Sequence, residues 1–229
     1  MKKAALLCCT LFVFFACKKS ETNNTVLLPV VPDTLGTGWT KLAGIAQNNP
    51  VTDVFFVDAN TGYATNASGV FKTSNGGTNW SQIFTGTDLI NIAAAGSNAC
   101  FFAQNNNIYH TANQGATVET YGYNIPLTPS FKDGQFASSA VCYAFSNLYC
   151  WKSVNGGAHF DTLYNFADNN SNGAVVTSFT DEQHGWVVRN AQVYRTSNGG
   201  QSWTVVKTLN QPYAGAVHFI NTTTGYVSD

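Results

Sequence analysis

The sequence predicts an all-β protein assembled from repeated units of short strands. Only 10% of the 229 residues are charged, whereas 14% are aromatic and 20 are glycines. Few charges combined with many aromatic and turn-forming residues favour short strands joined by tight turns. A short motif also recurs at nearly constant spacing, as described below. The formal net charge of −1 provides no basic surface, so nucleic acid is not expected as a partner.

The N-terminal residues resemble a bacterial lipoprotein signal peptide. Two lysines precede an apolar run of about 13 residues that ends at Ala16, which is shorter than the roughly 20 residues of a membrane-spanning helix. The final residues, Phe-Phe-Ala-Cys, are similar to a lipobox, which implies cleavage before Cys17 and lipidation of its thiol. We therefore expect a signal peptide over residues 1–17 and a flexible tether over residues 18–37. The lipid would hold an exported protein on the outer membrane or the cell surface, with a periplasmic orientation as the alternative.

Three cysteines remain after this segment, namely Cys100, Cys142 and Cys150. An odd number leaves at least one free thiol in an oxidising compartment. Cys142 and Cys150 flank a predicted hairpin turn, and the sequence leaves open whether they form a disulfide. No His or Cys follows at the spacing of a metal site, so neither a metal nor another cofactor is expected.

The recurring motif has the form Ser/Thr-x-Asn-x-Gly-x-x-aromatic and occurs four times, with Val118 in place of the aromatic residue in the second copy. We call each copy a box turn. Its four glycines are separated by 38, 42 and 43 residues, which is the length of one propeller blade. Asn can accept backbone N–H groups across a turn, and Gly supplies the positive φ that a tight turn requires. The residues expected to build the four turns are Thr73, Asn75, Gly77 and Trp80; Thr111, Asn113 and Gly115; Ser153, Asn155, Gly157 and Phe160; and Thr196, Asn198, Gly200 and Trp203.

Strands flank each box turn at matching offsets, which predicts a β-propeller of four-stranded blades. A second pattern, Phe-x-Asp/Asn-x-x-x-Gly-aromatic, marks the inner strand and begins at Phe56, Phe179 and Phe219. The propeller is expected over residues 38–229 and is apparently incomplete, since a full ring would need six to eight blades. We expect a closing outer strand at 38–44, blades at about 51–84, 88–122, 129–165 and 173–208, and the start of a further blade at 213–229. Trp80 and Trp203 should pack inside their blades.

The box turns resemble the Asp-box, or BNR repeat, with Asn in place of the usual Asp. The run GYATNASGVFKTSNGGTNW at residues 62–80 is similar to the repeats of the photosystem II assembly and stability factor family. That resemblance implies a non-catalytic scaffold that binds protein. The arginine-rich recognition surface of the family is not reproduced, because only Arg189 and Arg195 occur in this chain.

Enzymes that share the repeat provide the alternative function. Sialidases hold the substrate carboxylate with three arginines, which two arginines cannot supply. Other Asp-box glycoside hydrolases use two carboxylates, and the predicted connections between blades offer Asp88, Asp133 and Asp168. Residues 168–173 also copy the first half of a calcium loop but lack its final Glu. An inter-blade turn accounts for them more simply, and a hydrolase would need further C-terminal blades.

One position of each blade offers a candidate binding rim. The residue immediately before each box turn is basic, and these residues are Lys72, His110, Lys152 and Arg195. They could form a row of positive charge, although a solvated strand end explains them more simply. The sequence as a whole favours a membrane-anchored, non-catalytic scaffold that binds protein or glycan at the cell envelope, with a passive spacer as a further alternative.

Overall fold

The computed structural model describes residues 45, 49–122, 131–166, 174–211 and 215–228. Cys17, the tether, the closing strand at 38–44 and Asp168 therefore lie outside the described residues. All the regular secondary structure of the described residues is β-strand. Within those ranges, no helix is present that could cross a membrane.

The strands form four blades of four strands each and a fifth unit of two strands. Blade 1 contains β1 (Val51–Phe56), β2 (Gly62–Asn66), β3 (Gly69–Thr73) and β4 (Ser81–Phe84). Blade 2 contains β5 (Leu89–Ala95), β6 (Asn98–Ala103), β7 (Asn107–Thr111) and β8 (Glu119–Gly122). Blade 3 contains β9 (Asp133–Phe136), β10 (Cys142–Phe145), β11 (Tyr149–Ser153) and β12 (Asp161–Asn165). Blade 4 contains β13 (Val176–Phe179), β14 (Gly185–Arg189), β15 (Gln192–Thr196) and β16 (Thr204–Thr208), and the fifth unit contains β17 (Ala216–Phe219) and β18 (Gly225–Ser228).

Each blade is an antiparallel meander in which consecutive strands are neighbours. The inner strands β1, β5, β9, β13 and β17 pack side by side in chain order. This arrangement confirms the predicted all-β propeller with four blades and the beginning of a fifth. Blades 1, 3 and 4 share a register shift between their third and fourth strands, and it falls after the second residue of the third strand, for example Val70 in blade 1. These three blades therefore share one local geometry between their third and fourth strands.

The hydrophobic core is divided among the spaces between successive blades. Side chains alternate across a strand, so each blade contributes to two of these spaces. On β10, Cys142 and Ala144 face blade 2, whereas Tyr143 and Phe145 face blade 4. This two-sided burial explains why both faces of the strands are apolar.

The two tryptophans of the box turns differ in burial. Trp203 is only 8% exposed and packs against Phe145 of blade 3 and Phe179 of its own blade. Trp80 is half-buried and makes an edge contact with Phe56 at 6.0 Å between ring centroids. The expectation that Trp80 is buried was therefore wrong. Trp203 is covered by the preceding blade, but no described blade precedes blade 1.

All three cysteines of the blades are buried and free. Cys142 pairs with Ser153 and Cys150 with Phe145 across the β10–β11 hairpin, so the two cysteines are not opposite each other. They belong to the cores on opposite sides of blade 3. The disulfide that the sequence left open does not form, because the strand alternation directs the two thiols apart.

Candidate binding surfaces

The four box turns share one set of hydrogen bonds. The Ser/Thr hydroxyl accepts the N–H of the box glycine at 2.8–2.9 Å and donates to Asn Oδ1 at 2.8–3.0 Å. Asn Oδ1 also accepts the N–H four residues later at 2.9–3.1 Å. The box glycines have φ between +85° and +90°. The polar side chains of the motif thus close the turn.

Each box turn also docks onto the first hairpin turn of its own blade. The residue before the box glycine donates its N–H to a carbonyl in the turn between the first and second strands, at 2.8–3.0 Å. The four donor–acceptor pairs are Gly76–Asn60, Gln114–Ser97, Gly156–Ala140 and Gly199–Gln183. In each of the four blades, these contacts place the box turn and the turn between the first and second strands on the same face of the propeller.

Three of the four residues of the expected binding rim, Lys72, His110 and Lys152, make contacts between blades. His110 is 4% exposed, and its Nε2 lies 3.0 Å from the Gly156 carbonyl in the box turn of blade 3. A carbonyl only accepts, so Nε2 carries the proton. Burial lowers the pKa of His110, which keeps the ring neutral at pH 7. His110 is therefore neither exposed nor charged, and its assignment to a positive rim was wrong.

The two lysines of this position also reach the next blade. Lys152 donates to the Gly199 carbonyl of the following box turn at 3.4 Å and lies 5.1 Å from the centroid of the Tyr143 ring. Lys72 contacts Gln114 Oε1 at 3.5 Å. The acceptor residue immediately precedes a box glycine in all three contacts: Gln114, Gly156 and Gly199. The same donor position therefore contacts the same acceptor position at three successive blade interfaces. We call this contact the blade clasp.

Arg195 occupies the donor position of blade 4 but has a different environment. Its guanidinium lies 5.7 Å from the centroid of the Trp186 ring. Its Nε atom is buried and has no hydrogen-bond partner among the described residues. Beside it lies an open groove of about 370 Å³, which is lined by Trp186, Arg195, Val206, Phe219, Thr222 and Thr223. A similar groove of about 350 Å³ lies beside Lys72, where the box turn of blade 2 forms one wall.

Polar side chains of the inner strands make a second set of contacts between blades, which the sequence analysis missed. Asp53 accepts the N–H of Ile92 in the next blade at 2.7 Å. Asp133 accepts the N–H and the hydroxyl of Thr177 at 2.7 and 2.9 Å, and it also accepts from Asn91 Nδ2 of the preceding blade at 3.0 Å. Asp53 and Asp133 each lie three residues before the phenylalanine that ends the inner strand. This constant offset from the phenylalanine is the sequence feature from which the contacts could have been predicted.

Burial shifts the titration of both carboxyl groups. Desolvation raises the pKa of Asp133 to about 6, against the opposing effect of the hydrogen bonds from Thr177. Desolvation also raises the pKa of Asp53. The expectation that Asp133 lies in a connection between blades was wrong, because Asp133 is the first residue of β9. Asp88, the other described candidate acid, is exposed and has a left-handed φ of +61°.

Arg189 is buried within the blade array. It is 1% exposed, and its guanidinium lies 4.6 Å from the centroid of the Phe166 ring. Its Nη2 donates to the Asn147 carbonyl of blade 3. Arg189 thus connects the second hairpin of blade 3 to blade 4. Because its guanidinium is buried, it cannot bind the carboxylate of a ligand in solution. Among the described residues, no group of three His, Cys, Asp or Glu side chains could hold a metal ion.

Comparisons with solved structures identify the fold. The chain is similar to YCF48 bound to D1 peptide, with a TM-score of 0.57 and 13% identity over 75% of this chain and 57% of that one. It is also similar to YCF48 from Cyanidioschyzon merolae, with a TM-score of 0.60 and 13% identity over 78% and 62% of the two chains. An ancestral GH74 enzyme gives a TM-score of 0.59 and 14% identity over 73% of this chain and 27% of that one.

The chain thus spans about 57–62% of the length of the two YCF48 structures. No protein-family model and no curated protein sequence matches it. At these identities the likeness concerns the fold alone, since the same propeller supports binding proteins and enzymes. The chain is a β-propeller.

Proposed function

We propose that this protein is a non-catalytic Asp-box propeller that acts as a binding scaffold at the cell envelope. The supporting observation is that the basic residues of the blade clasp point into blade interfaces: His110 and Lys152 bind the box turn of the next blade. These side chains stabilise the packing of the blades. We therefore expect the connecting loops to bind the ligand. The similarity to YCF48, a propeller whose structure contains a bound peptide, favours a protein ligand over a glycan.

Binding and turnover can be tested on the same preparation. Purified Cys17→Ala chain would be applied to displayed peptides and to a glycan array, and separately to aryl glycosides and sialosides. We expect saturable binding to one class of ligand and no hydrolysis. Failure to bind either class would contradict the scaffold and favour the passive spacer.

Membrane anchoring is a separate part of the proposal. If Cys17 is lipidated, Cys17→Ala should move the protein from the detergent-extracted membrane fraction to the soluble fraction of the native host. Cys9→Ala is the matched control, because Cys9 belongs to the expected signal peptide and should leave the fractionation unchanged. Identical fractionation of Cys17→Ala and the unmodified protein would contradict the anchor.

A glycoside hydrolase is the second candidate, and one observation favours it. Asp133 has a pKa raised to about 6 by burial, and a general acid in such an enzyme needs a raised pKa. The contacts of Asp133 with Thr177 and Asn91 oppose this role, because all of them donate to the carboxylate. Turnover that is lost in Asp133→Asn but kept in Asp88→Ala would establish the enzyme and overturn the scaffold.

A further inference from the structure

Two of the buried cysteines occupy positions that are aromatic or small in the other blades. The residue opposite the Ser/Thr of the box turn is a glycine, an alanine or a cysteine: Gly62, Ala99, Cys142 and Gly185. The residue that follows it on the second strand is aromatic in blades 1, 3 and 4 and a cysteine in blade 2: Tyr63, Cys100, Tyr143 and Trp186. Each position is thus a cysteine in one of the four blades, and the two cysteines fall in successive blades.

These two positions face each other across a blade interface. In the core between blades 1 and 2, Tyr63 packs in one cluster with Ala99, so the aromatic position of one blade faces the small position of the next. Cys100 and Cys142 belong in the same way to the core between blades 2 and 3, and both are 0% exposed. This interface therefore pairs two thiols where the preceding interface packs a tyrosine against an alanine.

The two sulfur atoms contact each other inside this core. Cys100 Sγ lies 3.9 Å from the carbonyl oxygen of Gly157, so its side chain reaches across to blade 3. Burial raises the pKa of Cys142, and a hydrogen bond with the Cys100 thiol raises it further. Cys150 belongs to the core on the opposite side of blade 3, and it is therefore not placed to compete for either thiol.

A covalent bond at this place would replace a connection that the next interface makes with a tyrosine. The Tyr143 hydroxyl lies 2.9 Å from the Glu182 carbonyl and 3.1 Å from the Gly199 carbonyl, both in blade 4. Cys100 has the same position in blade 2, but a thiol is only a weak hydrogen-bond donor. A disulfide from Cys100 to Cys142 would instead close a loop of 43 residues and restrict the unfolded chain.

We propose that Cys100 and Cys142 form a disulfide that joins blades 2 and 3 when the chain folds in the presence of an external disulfide. The thiolate of one cysteine attacks the external disulfide and releases one thiol, and the thiolate of the other cysteine attacks the mixed disulfide and releases the second. The two cysteines are oxidised, the external disulfide is reduced, and the two cysteine protons end on the released thiols. Because both sulfur atoms are buried in the folded chain, this exchange precedes the packing of blades 2 and 3. The inference goes beyond the scaffold function, and either can fail without the other.

Refolding with glutathione tests the pairing. A chain in which Cys8, Cys9 and Cys17 are replaced by alanine contains only the three cysteines of the blades. After refolding from urea in oxidised and reduced glutathione, we expect one thiol per chain to be alkylated in urea. Chymotrypsin cuts between Cys142 and Cys150, after Phe145 and Tyr149, so the non-reduced peptide map should show the Cys100 peptide joined to that of Cys142. The oxidised chain should melt about 5–15 °C above the chain refolded in reductant.

Two variants of the same chain separate this disulfide from other pairings. Cys142→Ala should lose both the joined peptide and the difference in melting temperature, and it should fold because blade 2 has Ala99 at the same position. Cys150→Ala is the matched control and should keep both. Alkylation of all three thiols after oxidative refolding, a disulfide that includes Cys150, or equal melting temperatures of the oxidised and reduced chains would overturn the proposal.

Discussion

Replacing the box glycine of blade 3 tests both roles of that position, the left-handed backbone and the close contact with blade 2. Gly157 has a φ of +90°, and a Cβ atom there would lie 2.3 Å from Cys100 Sγ and 3.2 Å from His110 Cδ2. A left-handed conformation costs an L-residue about 1–2 kcal/mol, and overpacking of a core costs about 1–3 kcal/mol more. Gly157→Ala should therefore lower the free energy of unfolding by about 2–5 kcal/mol.

Gly96 provides the matched control for this substitution. Its φ is +62°, but a Cβ atom there would meet no heavy atom within 4 Å. Gly96→Ala should therefore show only the backbone cost, about 1–2 kcal/mol. Urea unfolding followed by tryptophan fluorescence measures both variants under one set of conditions. Equal destabilisation by the two substitutions would refute the packing argument and with it the role of the box turn as a contact between blades.

Three further predictions concern the core and the inner strands. Trp203→Ala should cost about 3–5 kcal/mol and Trp80→Ala clearly less, because Trp80 is half-buried; equal losses in urea unfolding would contradict the difference in burial. The raised pKa of Asp133, about 6, means that its contribution to stability is complete below about pH 4 and is lost as the pH rises through 6. Between pH 4 and pH 7.5 the unfolding free energy of the wild type should fall by up to about 3 kcal/mol relative to Asp133→Asn, and a constant difference would argue against the shift. The thiols of Cys100, Cys142 and Cys150 are buried, and desolvation raises the pKa of Cys142 and of Cys150, so Ellman's reagent should label these three in the reduced protein only after unfolding; rapid labelling of any of them in the native protein, located by peptide mapping, would contradict the packing.

Features that depend on neighbouring residues could be predicted from the sequence. The box turn is closed by hydrogen bonds between residues two to four positions apart, as between Thr73 and Gly77. The motif therefore contains every group that the turn needs, and its spacing indicates the blade length. The same reasoning recovered the inner strand that ends at Phe56 and the four-stranded repeat.

Features that depend on the adjoining blade could not be predicted in this way. His110 was interpreted as part of a charged rim, but its partner is Gly156, which lies 46 residues further along the chain. Asp133 was interpreted as a loop acid, but it bridges two inner strands through Thr177, 44 residues away. A basic residue at a strand end has the same sequence pattern whether it faces solvent or another blade.

The sequence by itself determined the fold class, the repeated blade and the box turns, because strand alternation and turn hydrogen bonds act within a few residues. The tertiary structure decided how the repeats are used. It placed Lys72, His110 and Lys152 in the blade clasp and separated Cys142 from Cys150. The physical reason is that burial and partner choice at these positions arise only when side chains about 40 residues apart are brought together by stacking of the blades.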